Sequence, residues 1–304
     1  MPSPEQRRPR DIPGPLRTVG RSSGLMRGTL ESGKELLARR ELLGLLVRRE
    51  LRAKYKNSAL GFAWSLMRPL AQLLVYYIAI GQFLGAARQI PDFAIFVFAG
   101  LTIWTLYSEI LSAGTTSVVN NAGLVKKIYL PREIFPLGAV GGAIINFAIQ
   151  FGILLIATIV LGRAPVHPEA LYAVASFLLI VVIGTACALV LSAVNVYLRD
   201  VEHLIEVALL ILFWASPIVY AHRFVDEVIT APWLQELYLA NPVTIAVIGM
   251  QKAMWTAGSA PDSGQVWPDN LEWRFAIATF VSLFLVWGAQ RVFSRLQGNF
   301  AQEL

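Results

Sequence analysis

The longest uncharged stretches decide what this chain can be. Between Glu133 and Arg163 lie 29 residues without a charge, between Glu169 and Arg199 another 29, and between Arg68 and Arg88 a further 19. A helix needs about 20 apolar residues to cross roughly 30 Å of hydrocarbon at about 1.5 Å per residue. These three runs are long enough, and a fourth from Phe93 to Val119 is broken only by Glu109. Two shorter runs, Glu206 to Arg223 and Arg274 to Arg291, hold 16 uncharged residues each and suffice once extended by a turn. The pattern predicts an all-α membrane protein with six transmembrane helices, at about 66–87, 93–119, 136–162, 171–198, 203–221 and 273–292. Only 15% of residues are charged and the mean hydropathy is +0.57. A soluble domain carries about a quarter charged residues, so an ordinary soluble enzyme is excluded.

Charge placement orients the spans. Of 26 Lys and Arg, 14 precede residue 60. Six crossings put both termini on one side. If that side is the cytoplasm, it receives Arg68, Lys126, Lys127, Arg132, Arg199, Arg291, Arg295 and the N-terminal cations, leaving only Arg88, Arg163, Arg223, Lys252 and Arg274 outside. This follows the positive-inside rule. The net charge of +6 is therefore assigned to membrane orientation, not to nucleic acid. The first 35 residues hold no apolar core of signal-peptide length. Residues 1–32, rich in Pro, Arg, Ser and Gly, read as a disordered basic cytoplasmic tail, and 33–304 as a single membrane domain.

Two regions are expected to lie on the membrane without crossing it. ELLGLLVRRELRAKYK, Glu41 to Lys56, puts Leu42, Leu43, Leu46, Val47, Leu51 and Ala53 on one arc, with Arg48, Arg49, Arg52 and Lys56 opposite. Within 33–58 this predicts an amphipathic interfacial helix; the alternative is a cytosolic helix packed on a partner protein. Between the fifth and sixth spans, 222–272 is the longest connection. Leu237 to Gln251 is uncharged but short and broken at Asn241-Pro242, so it should dip into the membrane and return as short re-entrant helices. Trp233, Tyr238 and Trp255 are expected to anchor it at headgroup level.

Catalytic signatures are missing. Gly28, Gly33 and Lys34 resemble part of a phosphate-binding loop, but Glu35 stands where a Ser or Thr should meet magnesium. Cys187 is the only cysteine, and His167, His203 and His222 are dispersed, so neither a disulfide nor a metal cage is predicted. No catalytic residue is assigned. Asp226 and Glu227 are the only external carboxylates a transferase might use, and no partner supports them.

Several polar and aromatic residues inside the spans are candidates for lining a passage. Glu109 lies mid-span, where a charge costs at least ~2.5 kcal/mol, so it should face protein or water; it reads equally as a substrate contact or as a packing hydrogen bond. Asn146 and Gln150 share a face one turn apart. Gly81, Gly85, Gly138, Gly141 and Gly142 permit close helix approach. Trp64, Tyr76, Tyr77, Trp104, Tyr107, Trp214 and Tyr220 supply flat faces on which sugar C–H groups stack, or else form an interfacial belt and core. The loop 120–135 places Lys126, Lys127, Arg132 and Glu133 around Leu124, Ile128, Tyr129 and Leu130. A short amphipathic helix there, stopped by Pro131, would offer apolar knobs to a soluble partner.

The segments ELRAKYKNSALGFAWSLMRPL (Glu50 to Leu70), KKIYLPREIFPL (Lys126 to Leu137), YLRDVEHLIEVALLILFWASPIVY (Tyr197 to Tyr220) and ANP (Ala240 to Pro242) together resemble the permease subunits of type-2 ABC exporters. Within these, the resemblance is to the branch that exports O-antigen-like polysaccharide and teichoic acid, and it covers about 35–300. It implies a homodimer with two ATPase subunits that bind ATP and magnesium, no cofactor on this chain, and a polyprenyl-diphosphate-linked glycan as cargo. It also implies an interfacial gate helix carrying Arg48, Arg49, Arg52, Lys54 and Tyr55, a coupling helix at Leu124 to Leu130, half-helices capping the exit around Ala231 to Gly258, and a cytoplasmic turn at Arg199-Asp200. The N-terminal tail is longer than the family pattern. Export of a drug or small amphiphile, and a non-transporting scaffold of glycan assembly, are the competing readings.

Overall fold

In a computed structural model, residues 40–55, 63–127, 130–260 and 265–304 are described. Every regular element among them is helical. The gate-helix candidate is α1 (Arg40–Tyr55). The first long run forms α2 (Ala63–Tyr76), which continues without a break as a π-turn, Tyr77–Phe83. Gly85 then reverses the chain at φ 78, a left-handed conformation that costs a glycine nothing, and the short α3 (Ala86–Gln89) follows. Next come α4 (Phe93–Thr116), the stub α5 (Ala122–Lys127), α6 (Ile134–Val160) and α7 (Leu171–Tyr197). After these stand α8 (Val201–Trp214), three short helices α9 (His222–Val228), α10 (Pro232–Leu239) and α11 (Pro242–Met254), the long α12 (Leu271–Leu296) and a terminal turn α13 (Phe300–Glu303).

Among the described residues, α4, α6, α7 with its leading 3₁₀ turn, and α12 with its trailing one are long and apolar enough to span a bilayer. α4 is the axis: 78% of its span is buried, against 17% for α12. A helix apolar all round belongs in a protein interior, and α4 packs against both α6 and α7. The α4–α7 crossing is close because Gly114 lacks a side chain; a Cβ there would lie 2.6 Å from the Ala188 Cβ. Asp92 at the head of α4 pairs with Arg163 just beyond α6 at 2.9 Å, so these two ends share one face of the bundle.

The chain makes two hydrophobic cores. The larger runs through the middle of α4, α6 and α7 and includes nearly all of α11. The smaller lies at the basic end, the end bearing Arg68, Lys126 and Arg291, where Leu46, Val125, Phe135, Val196, Phe293 and Phe300 meet. Here α1 packs on α6, with Val47 over Gly141, where a Cβ would lie 2.7 Å from Val47 Cγ2. On the amphipathic helix Leu46 is thus buried against protein, with Leu42, Leu43 and Val47 half-buried.

Two boundaries differ from the sequence expectation. The run expected as a fifth span at 203–221 is helical only to Trp214. Pro217 disfavours helical geometry at the residue before it and has no N–H, so 215–221 is irregular. Two hydrogen bonds occupy carbonyls there: Tyr220 OH donates to the Trp214 carbonyl at 2.8 Å, and Gln251 Nε2 donates to that of Pro217 at 2.7 Å. The segment after Pro242 packs into the bundle. α11 starts with a cap in which Asn241 Oδ1 accepts from Val243 N at 3.0 Å, and Val243 to Met254 is buried except for Lys252. It sits among α4, α7 and α12 at the end opposite the basic one, with Gly249 so close to Phe275 and Ser176 that a Cβ would lie within 2.5 and 2.6 Å of them. Trp255 consequently is not a headgroup anchor: its ring is 1% exposed. Trp233, by contrast, is exposed.

Candidate functional site

Four helices, α2, α4, α6 and α8, enclose a cleft of about 1060 Å³. Arg68 on α2 and Glu206 on α8 line it toward the basic end, and Tyr76 and Trp214 lie eight residues further along the same helices. At helical rise that is a length of about 12 Å, and no residue of α11 lines the cleft.

One wall comes from α4. Trp104, Thr105, Ser108, Glu109, Ser112 and Ala113 line it, a set that recurs at the three- and four-residue spacing of one helical face. Asn146 and Gln150 complete that wall from α6. Glu109 Oε1 accepts a hydrogen bond from Asn146 Nδ2 at 2.6 Å, so this carboxylate both lines the cleft and ties α4 to α6. A hydrogen bond of that kind keeps an acidic group tolerable at membrane depth. The facing wall is aromatic. Tyr76 stacks on Phe213 at 5.7 Å, and Phe213 meets Trp104 edge-on at 5.5 Å and Trp214 at 5.4 Å. A cleft with rings on one side and amide, hydroxyl and carboxylate groups on the other can hold a ligand that has both C–H faces and hydroxyl edges.

Four of the predicted lining residues therefore meet: Tyr76, Trp104, Glu109 and Trp214. Three others point elsewhere. Tyr107 lies just beyond the Trp104 edge of that face, its ring 6.1 Å from that of Trp104, against Cys187 of α7; Tyr77 lies beside Phe93 with ring centres 6.5 Å apart; Tyr220 serves the break after α8. The side chain of Trp64 lies outside the described residues. Gln72, Ser108, Ser112 and Phe213 were not singled out from the sequence, although Ser108 and Ser112 follow Trp104 at intervals of four.

At the basic end, α5 and the turn after it form a second candidate surface. Lys126 and Lys127 are exposed and Leu124 is half-buried, while Val125 is locked into the smaller core. Ile128 and Tyr129 lie outside the described residues, and Leu130 is half-buried. Arg132 and Glu133 turn inward. Arg132 lies over the Phe300 ring at 5.7 Å, and Glu133, 1% exposed, accepts from Gln290 and Gln297 at 3.3 and 3.5 Å. Glu133 thus braces the start of α6 against the end of α12. On α1, Arg48 and Arg49 are exposed, and Arg49 Nη2 donates to Asn121 Oδ1, which joins α1 to the head of α5. The side chains of Arg52, Lys54 and Tyr55 lie outside the described residues.

At the opposite end, His222 is buried with its Nδ1 3.0 Å from Asp226 Oδ2. Burial holds the imidazole below its usual pKa, with Asp226 opposing that shift. Glu227 takes no part in that pair. Among the described residues, no group of three or more metal-ligating side chains occurs.

Relatives match the chain in sequence over much of its length. The O-antigen export system permease protein RfbA of Myxococcus xanthus is 28% identical over 272 residues, which are 89% of this chain and 98% of that protein. The O-antigen export system permease protein RfbA of Klebsiella pneumoniae is 26% identical over 191 residues, 62% of this chain and 71% of that protein. Residues 41–255, from α1 through α11 to Trp255, match the family described as ABC-2 type transporter, and the chain belongs to that family.

Proposed function

We propose that this chain is the membrane permease subunit of an ATP-driven exporter that carries a polyprenyl-diphosphate-linked polysaccharide of the O-antigen type across the cytoplasmic membrane. The observation that carries this reading is the cleft, lined together by aromatic and hydrogen-bonding side chains, in a chain whose relatives are named O-antigen export permeases. In this reading the chain crosses the membrane six times, with α2 and its π-turn as the first span and α8 with 215–221 as the fifth. Both termini and the basic end face the cytoplasm. Two copies associate, and each engages an ATPase subunit that binds ATP and magnesium; this chain supplies path and lever, and none of its residues is assigned to catalysis.

The lever is physical. A push on α5 reaches α1 through Arg49 and Asn121 and α12 through Glu133, because those contacts are buried or paired. Packed elements of this kind move as rigid bodies between two arrangements. Sugars stack by their C–H faces on Trp104, Tyr76 and Trp214 while their hydroxyls exchange water for the Glu109, Asn146 and Gln150 side chains.

The test is co-purification with the ATPase subunit. Truncating Leu124, Ile128 and Tyr129 to Ala is expected to abolish permease-stimulated ATP hydrolysis while the permease stays folded in the membrane; undiminished stimulation refutes the docking surface. Depletion of the permease should trap lipid-linked glycan inside the cell. A cell that accumulates a small amphiphile in its place would favour the drug-export reading, which the apolar lining of the cleft also permits.

A further inference from the structure

We propose that α12 carries a binding site for an anionic phospholipid at its basic end, formed by Arg291 and Arg295 above a column of aromatic rings. Phe280, Phe284, Trp287, Arg291 and Arg295 fall within an arc of about 80° at 100° per residue. The buried residues Phe275, Ser282, Ala289 and Phe293 occupy the other side of the helix. The three rings are 75%, 63% and 37% exposed in chain order. From Leu271 to Arg291 the helix rises about 30 Å, so the rings sit at acyl-chain depth and the two guanidinium groups at headgroup depth.

The guanidinium groups are poised for an anion. Arg291 lies over the Trp287 ring at 5.4 Å, which fixes its plane. Its Nε and Nη2 are buried with no hydrogen-bond partner among the described residues. Screening a guanidinium from water without an acceptor is costly, and a phosphate diester approaching from the side of the exposed Arg295 matches the pair in charge. A zwitterionic lipid is disfavoured, because its ammonium group would face two cations with no carboxylate between them. The site is also separate from the substrate path, since α12 contributes no residue to the cleft. The assignment to the inner leaflet rests on the orientation proposed above; the site itself does not.

Native mass spectrometry of the detergent-purified chain, titrated with phosphatidylglycerol or phosphatidylcholine, tests this directly. Each cation near an anionic headgroup is worth about fivefold in binding. Arg295→Gln should weaken phosphatidylglycerol retention about fivefold, and the Arg291→Gln, Arg295→Gln pair about 25-fold, while phosphatidylcholine retention is unchanged. The Arg291→Lys, Arg295→Lys pair keeps the charge and should retain most of the preference. Arg199→Gln, an exposed cation of the same end, should have no effect. Equal retention of the two lipids by the unaltered chain overturns the proposal, as does a preference that survives the double Gln change. Displacement of phosphatidylglycerol by millimolar inorganic phosphate would also overturn it, by making this a soluble-anion site. None of these readouts involves transport, so failure here and failure of the permease assignment are separate results.

Discussion

Trp255 holds α11 in the bundle, and its replacement gives a sharp test of how that end is closed. The indole is 1% exposed, donates from Nε1 to the Pro91 carbonyl at 2.6 Å, and meets Phe96 edge-on at 4.9 Å and Trp267 at 6.1 Å. A Cβ at Gly258 would collide with the ring, so the turn after α11 is shaped around it. Trp255→Ala removes a fully enclosed aromatic side chain, a change that costs about 3–5 kcal/mol in protein cores. Trp255→Phe keeps most of the packing but leaves the Pro91 carbonyl without its donor, which costs about 1–2 kcal/mol. The Ala variant should therefore lose about 1.5 to 5 times as much stability as the Phe variant. Heating the detergent-purified protein and following the monodisperse fraction by size exclusion ranks the three proteins. In cells, the Ala variant should export poorly while the Phe variant remains near normal. If Phe proves as damaging as Ala, the hydrogen bond and not the packing secures α11. If Ala is indistinguishable from the unaltered chain, α11 is not held from this site at all.

Two further outcomes follow from packing and charge. Gly114→Ala gains up to about 1 kcal/mol of helix propensity but drives a methyl against Ala188, whose Cβ is tied to the α7 backbone; overpacking at about 1–3 kcal/mol wins. The variant should lower thermal stability, and adding Ala188→Gly should restore it. Glu236 is held below the usual carboxylate range by the two hydrogen bonds it accepts from Arg274 at 2.7 and 2.8 Å. A carboxyl with a lowered folded-state pKa contributes stability that is full above its unfolded value of 4.5 and is lost as the pH falls through the folded one. Glu236→Gln should flatten that acid limb of the thermal-stability profile by lowering the neutral plateau toward the acid level, and an unchanged limb would remove the pair from the account.

The sequence by itself determined the solvent, the helices and the charge asymmetry. Hydropathy is a local property, so runs such as 134–162 and 170–198 dictate α6 and α7 wherever they pack, and Pro242 and Asn241 mark the start of α11 by capping chemistry alone. Tertiary structure decided which surfaces meet. α7 is apolar on every face and carries no stripe to distinguish protein from lipid, so nothing in its pattern announces that it contacts both α4 and α12. A rotation of 100° per residue put Trp104 and Glu109 in the cleft but Tyr107 against Cys187, and Glu133, an exposed docking charge on sequence grounds, became a buried brace because Gln290 and Gln297 approach it from the far end of the chain. The depth of α11 likewise depended on Gly249 and on rings contributed by other helices. Solvation free energy is summed residue by residue along the chain, whereas packing depends on the relative rotation of helices distant in sequence, and that phase is fixed only when their side chains interlock.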